Sequence, residues 1–127
     1  MGTSWSYLQA FGTLFDPDDR LVATGYAGGN CGKDPGGVNN PDLESVHDIG
    51  PLPRGVYTFG APVDHTQLGP FAIPLIPDPS NNMYGRSGFY MHGDTETPGC
   101  ASDGCIVMPP GVRQACWDSP IHQLVVE

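Results

Sequence analysis

Two residues of complementary chemistry stand thirteen positions apart: His92 in Met91-His92-Gly93-Asp94, and Cys105 in Ala101-Ser102-Asp103-Gly104-Cys105-Ile106. A thiol is only slightly ionised at neutral pH, so a cysteine nucleophile needs a neighbouring base or cation. His92 can take that proton, hold the pair as thiolate and imidazolium, and later protonate a leaving amine as general acid. Gly104 lacks a Cβ, which permits a tight turn and close substrate approach, so the amides of Gly104 and Cys105 can face a developing oxyanion. Ser102 reads either as a turn residue whose hydroxyl caps local backbone or as a group that orients His92. The chemistry is acyl transfer through a cysteine acyl-enzyme.

Each of these residues also has a plainer reading. A lone cysteine is most often a small buried hydrophobe, and a lone histidine at a strand end is often just a satisfied polar group. The ordered pair with Gly104 between them weighs against both. Cys31, Cys100, Cys105 and Cys116 allow three complete pairings; a nucleophilic Cys105 stays out of them, leaving at most one bridge. Cys100 is then structural, alone or bridged to Cys31 or Cys116, or a resolving thiol. His92, Cys100, Cys105 and Cys116 are zinc-ligand types, but the closest cysteine spacing is Cys100-x₄-Cys105, not a zinc-type pair. No metal and no cofactor are expected. His47, His65 and His122 receive no role beyond surface or core.

The elements that must position His92 and Cys105 are mostly strands. Ser4–Ala10 alternates in the two-residue period of a strand. Gly12–Phe15 and Leu21–Tyr26 flank Asp16-Pro17-Asp18-Asp19 and read as a hairpin. Ala27–Asp48 is a long polar loop containing Asn39-Asn40-Pro41, of the length that is usually functional or mobile. Val56–Phe59 follows a Gly/Pro turn. Phe71–Ile76 is a short strand that Pro74 demotes to an edge or a bulge. Ser87–His92 is a strand that delivers the histidine, Val112–Trp117 one or two helical turns behind Pro110, and Ile121–Val126 a last strand. The fold class is mostly β, one domain over residues 1–127 with one short helix. A chain of 127 residues buries about two-thirds of its unfolded surface, enough for a core.

Charge excludes several function classes. The net charge is −9, and the five basic residues, Arg20, Lys33, Arg54, Arg86 and Arg113, are scattered. Nucleic-acid binding needs clustered cations to displace phosphate counterions, so no nucleic acid is expected, nor an anionic membrane surface. No apolar run approaches the roughly 20 residues of a membrane span, and Met1–Tyr7 lacks the basic and apolar regions of a secretory signal.

The residues also carry a family resemblance. His92-Gly93, a short loop, then Ser102-x-Gly104-Cys105-Ile106 resembles the signature of YkuD-type L,D-transpeptidases. Around it, Trp5-Ser6-Tyr7, Tyr26-Ala27-Gly28, Asn39-Asn40-Pro41, Gly50-Pro51-Leu52-Pro53-Arg54-Gly55-Val56-Tyr57, Gly85-Arg86-Ser87-Gly88-Phe89 and His92-Gly93-Asp94 resemble the Tlde1-type effectors delivered by type VI secretion. The series runs from Trp5 to Ile106. It implies a β-rich YkuD-like fold and attack on the L,D bond of peptidoglycan tetrapeptide stems, by carboxypeptidase trimming or exchange of the terminal D-amino acid. Peptidoglycan stem peptides, an immunity protein and a secretion-machine component are the implied partners. The implied location of action is the periplasm of a target bacterium, after synthesis without a signal peptide.

Two departures matter. Asp103 stands where such enzymes carry His, and Val107-Met108 stands where an Arg often follows Cys-Ile. Recognition of the substrate carboxylate must then come from elsewhere, and Arg86 is the first choice with Arg54 second, because a guanidinium pairs bidentately with a carboxylate. Tyr26, Asn40, Gly93 and Asp103 are assigned to the substrate groove. Tyr26 and the Asn39-Asn40-Pro41 step also read as turn chemistry, and Asp103, with Asp94, as a solvated loop carboxylate. Competing readings are a non-catalytic cell-wall-binding module on the same fold, a Cys/His structural zinc protein, and an NlpC/P60-like peptidase. That last family places its Cys before its His, the reverse of the order here.

Overall fold

Trp5 and Tyr7 are buried while Ser6 and Leu8 between and beyond them are less so, and Leu124 and Val126 repeat the pattern at the other end of the chain. Two segments with the same two-residue period can share one apolar face when they pair in register. In the computed structural model, which describes residues 2–30, 33–94 and 104–127, they do so: β1 (Trp5–Leu8) lies parallel to β10 (Gln123–Val126), with Trp5 opposite Leu124 and Tyr7 opposite Val126. On the other side of β10, β5 (Gly55–Phe59) runs antiparallel and sets Tyr57 against Leu124. These side chains are the centre of the core, together with Leu14, Leu52, Ile73, Leu75, Met91 and Ile106.

The remaining elements are β2 (Thr13–Phe15), β3 (Leu21–Thr24), β4 (Tyr26–Ala27), β6 (Val63–His65), β7 (Gly69–Pro77), β8 (Tyr90–His92), β9 (Ile106–Val107) and one helix, α1 (Pro110–Asp118). The strand order is β3-β2-β1-β10-β5-β7-β8-β9-β4, with β6 paired to β7 off this path. The chain is therefore a small, mostly β domain with one short α-helix, as its patterning implies. Among the described residues no helix is long and apolar enough to cross a membrane.

Three local expectations change. The segment Leu21–Tyr26 is not one strand. A Cβ on Gly25 would fall 1.9 Å from the Val107 carbonyl oxygen, so the chain can pass there only as glycine, and it turns Tyr26 away from the hairpin to pair with Val107 of β9. The strand ending in His92 is shorter than Ser87–His92 and begins at Tyr90. Pro74, finally, is neither at an edge nor in an unpaired bulge. β7 is nine residues long and pairs with β5, β6 and β8. Its β5 pairing ends at Leu75 and its β6 pairing begins at Ala72, so Pro74 occupies the gap between two partners. The missing N–H falls where no ladder bond is required, and the Pro74 carbonyl still accepts from Gly60 N–H at 2.8 Å.

The long loop after β4 contains two 3₁₀ turns, Pro35–Gly37 and Pro41–Leu43. Asn39 ties it down, its Oδ1 accepting from Ala27 N–H at 3.1 Å. Asn40 caps the second turn: its Oδ1 accepts from Asp42 N–H and its Nδ2 donates to Gly36 O.

Candidate active site

β8 and β9 run parallel, with Met91 opposite Ile106 and His92 opposite Val107. Met91 and Ile106 are both fully buried in the core. Because side chains alternate across a strand, Tyr90, His92 and Val107 belong to the opposite face. Cys105 immediately precedes β9 and lies beside Tyr90 of β8, whose amide bonds its sulfur. Cys105 and Cys116 are both thiols. Cys116 belongs to the core, where burial pushes its thiol up to about 12. Cys31, Cys100, Ser102 and Asp103 lie outside the described residues.

The Cys105 sulfur is held by backbone. Tyr90 N–H donates to Sγ at 3.3 Å, and the Gly88 carbonyl lies 3.9 Å from it. It opens onto a cleft of about 280 Å³ whose lining includes His47, Asp48, His65, Gln67, Arg86 and Tyr90. The imidazole of His92 is only 1 % exposed. Its Nδ1 lies 2.8 Å from the Gly93 carbonyl oxygen. A carbonyl can only accept, so Nδ1 carries the proton and Nε2 of the neutral ring keeps its lone pair. That Nε2 is buried and makes no hydrogen bond among the described residues.

The sulfur and the imidazole are not hydrogen-bonded to each other: Sγ accepts from the Tyr90 amide, and His92 Nε2 makes no hydrogen bond among the described residues. Tyr90 and His92 are same-face neighbours, and such neighbours are about 6.5 Å apart along a strand. An imidazolium at His92 is disfavoured. Burial lowers the His92 pKa below its ordinary value, and nearby Arg113 and His65 push the same way against the Gly93 bond and Asp94.

Arg86 does reach the cleft, but its donors are committed. Nη1 donates to Glu44 O at 2.5 Å and to Pro51 O at 2.8 Å, Nη2 donates to Gly50 O at 3.0 Å, and the guanidinium lies 5.0 Å from the centre of the Phe89 ring. It is 6 % exposed, with its charge close enough to Cys105 and Asp48 to interact with both. Three of its N–H groups thus anchor the 44–51 loop, and its charge lies close to the Cys105 sulfur. Arg54 is not part of the cleft lining. Its Nε and Nη2 bond the Glu44 carboxylate, with Nη2 to Oε2 at 2.8 Å. Burial works against the Glu44 charge, but the bonds from Arg54 and Gln9 outweigh it and hold the carboxyl below its usual range.

Gly104 has φ +138° and donates nothing to size: a Cβ there would sit 2.5 Å from Arg86 Nη2 and 2.8 Å from Phe89 Cε1. Its glycine character serves the packing of Arg86 beside Cys105, a constraint that sequence spacing does not reveal. Gly104→Ala is expected to destabilise the protein by about 1–3 kcal/mol and to displace Arg86. A thermal-unfolding midpoint unchanged from the parent would show that the loop relaxes freely.

Tyr26 and Gly93 line a second, more apolar hollow of about 410 Å³ with Val107, Met108, Pro109 and Pro110, and the Tyr26 hydroxyl donates to Asp94 Oδ1 at 2.8 Å. Gly93 packs against Arg113, whose Nη1 would be 2.9 Å from a Cβ there. Asn40 lines neither hollow. Arg113 was invisible as a site residue in the sequence. It reaches from α1 to the carbonyls of Met108, Phe71 and Pro70 and so braces the backbone around His92. His65 was set aside as well, yet its ring stands edge-on to Tyr90 with centroids 5.2 Å apart and lines the cleft.

No curated protein and no solved structure matches the chain. The Tlde1 domain model matches residues 26–124, a stretch that contains the Cys105 cleft, His92 and every strand around them, and the chain accordingly belongs to the Tlde1 domain family, a family of type VI effectors.

Proposed function

We propose that the protein is a peptidoglycan-modifying cysteine enzyme that cleaves the L,D bond of tetrapeptide stems, releasing the terminal D-amino acid to water or exchanging it for another. The observation that carries this reading is a buried His92 whose Nδ1 is bonded to Gly93 and whose Nε2 makes no hydrogen bond among the described residues, two residues along β8 from the Tyr90 amide that holds a cleft-lining sulfur. A small rotation of the Cys105 side chain off the Tyr90 amide brings Sγ toward Nε2. His92 then takes the thiol proton as sulfur attacks the scissile carbonyl, forming the C–S bond. Collapse of the oxyanion breaks the C–N bond, and His92 returns the proton to the leaving nitrogen. The thioester is resolved by water or by the amine of an incoming D-amino acid, deprotonated by the same Nε2, and the thiol is regenerated. Arg86 favours the sulfur anion in both half-reactions.

Membership of an effector family supports action in the periplasm of a target bacterium after delivery by a secretion machine, with an immunity protein guarding the producer. The test is to incubate the protein with tetrapeptide-bearing muropeptides, with and without an added D-amino acid, and to identify products by mass spectrometry. Tripeptide stems indicate hydrolysis, and a mass shift to the added residue indicates exchange. Unchanged tetrapeptides in both arms sink the reading.

The Tyr90 amide bonded to the sulfur favours one alternative, a cell-wall-binding module in which Cys105 is structural. Iodoacetamide labelling separates the two. Labelling of Cys105 that slows in His92→Ala supports the enzyme, and a thiol that resists labelling supports the module.

A further inference from the structure

The leaving group of the reaction proposed above carries a carboxylate, and the guanidinium groups first assigned to it already bond other partners. Arg54 is bound to Glu44, Arg113 to three carbonyls of β7 and the β9–α1 junction, and Arg86 spends three bonds on Glu44, Pro51 and Gly50. Arg20 and Lys33 do not line the cleft. What the cleft wall does present is His65, at the end of β6 where the chain turns into β7. Its Nδ1 accepts from two backbone amides at once, Gln67 N–H and Leu68 N–H, each at 3.1 Å. A nitrogen that accepts two hydrogen bonds holds no proton, so the proton of the neutral ring is on Nε2. The turn therefore fixes the tautomer, and the edge-on contact with Tyr90 fixes the ring plane. The other histidine on the lining, His47, has its Nε2 3.2 Å from the Tyr84 carbonyl, which occupies it. His65 Nε2–H makes no hydrogen bond among the described residues.

We propose, resting on the function above, that His65 Nε2–H donates to the terminal carboxylate of the stem peptide and is the specificity determinant for a free C-terminal D-amino acid. The placement fits the substrate. The carboxylate carbon of the leaving residue is three bonds from the carbon under attack, within about 4 Å of it. His65 and Cys105 line the same cleft, and Tyr90 meets both, its ring the imidazole and its amide the sulfur. The negative charge of Asp48 on the same lining is faced by the Arg86 guanidinium.

Because His65 also holds its own turn, the test separates cap from donor. Asparagine at this position keeps an acceptor where Nδ1 stands but loses the Nε2 donor, whereas glutamine keeps a donor near Nε2. Binding of a tetrapeptide stem and of its C-terminal amide is measured by calorimetry on Cys105→Ala protein, alone and combined with His65→Asn or His65→Gln. The Cys105→Ala protein is expected to prefer the acid by about 10- to 150-fold, the range for one hydrogen bond to a charged group. His65→Asn is expected to abolish that preference with an unchanged unfolding midpoint, and His65→Gln to restore part of it. Retention of the acid preference in His65→Asn overturns the proposal while leaving the enzymatic reading intact, as does binding of acid and amide equally by the otherwise unmodified Cys105→Ala protein. A Cys105→Ala protein that binds neither peptide overturns both.

Discussion

Replacing Cys105 with alanine is expected to lower turnover of a tetrapeptide stem by at least about a thousandfold, since the acyl-enzyme route disappears with the sulfur. The fold should tolerate the change. Cys105 is only partly buried and packs at the margin of the core, and alanine keeps the Cβ, so the stability cost should stay under about 1 kcal/mol. Cys116→Ala is the matched contrast. That sulfur is fully buried on α1, and its removal leaves a small cavity costing about 1–2 kcal/mol while turnover persists. Muropeptide mass spectrometry and thermal unfolding on the two variants check both halves. Turnover at the parent rate in Cys105→Ala would falsify the nucleophile assignment.

Loss of His92 should be the second largest effect. His92→Ala is expected to reduce kcat/KM by about 10²- to 10⁴-fold, the usual worth of a positioned general base. The pH profile carries more information than the magnitude. Burial disfavours the imidazolium, so the folded-state pKa of His92 lies below 6.5. The acidic limb of kcat/KM should accordingly fall below pH 6.5, and activity should hold at pH 6.5 where an ordinary histidine is half protonated. Stability follows the same sign. With the folded pKa depressed, the unfolded chain binds the extra proton, so His92 favours the folded state fully above pH 6.5. That contribution is lost as pH falls through the folded pKa. In His92→Gln this part of the pH dependence of unfolding should vanish. An acidic limb centred above pH 6.5 would mean that His92 rests as an imidazolium and that the neutral-base mechanism is wrong.

Much of the scaffold was legible because its signals are local. Asp16 sits where a hairpin turn needs an acceptor, and its Oδ1 takes the amides of Asp18 and Arg20. Pro110 begins α1, where its missing N–H is harmless. Trp5, Tyr7, Leu124 and Val126 carry the two-residue period of the strands they form. Pro74 misled because proline disqualifies a strand from the interior only where its N–H would be used, and that depends on where β5 and β6 stop.

The amino-acid sequence by itself determined that this is a small, acidic, mostly β domain with one short helix, and it marked His92 and Cys105 as the pair on which the proposed chemistry rests. Both follow from residue types at fixed short spacing, which survive any arrangement of the rest. Tertiary structure alone decided how the charges are used. Arg54, Arg86 and Arg113 look alike along the chain, yet each ends against different acceptors: Glu44, the carbonyls of 44–51, and the carbonyls around β7 and β9. The buried cations Arg86 and Arg113 must satisfy their donors wherever the fold offers carbonyls, so their roles are set largely by residues 35 to 43 positions away. The same holds for the base. Whether His92 is charged depends on how deeply β8 is covered, and whether His65 presents a donor depends on a three-residue turn closing over its Nδ1.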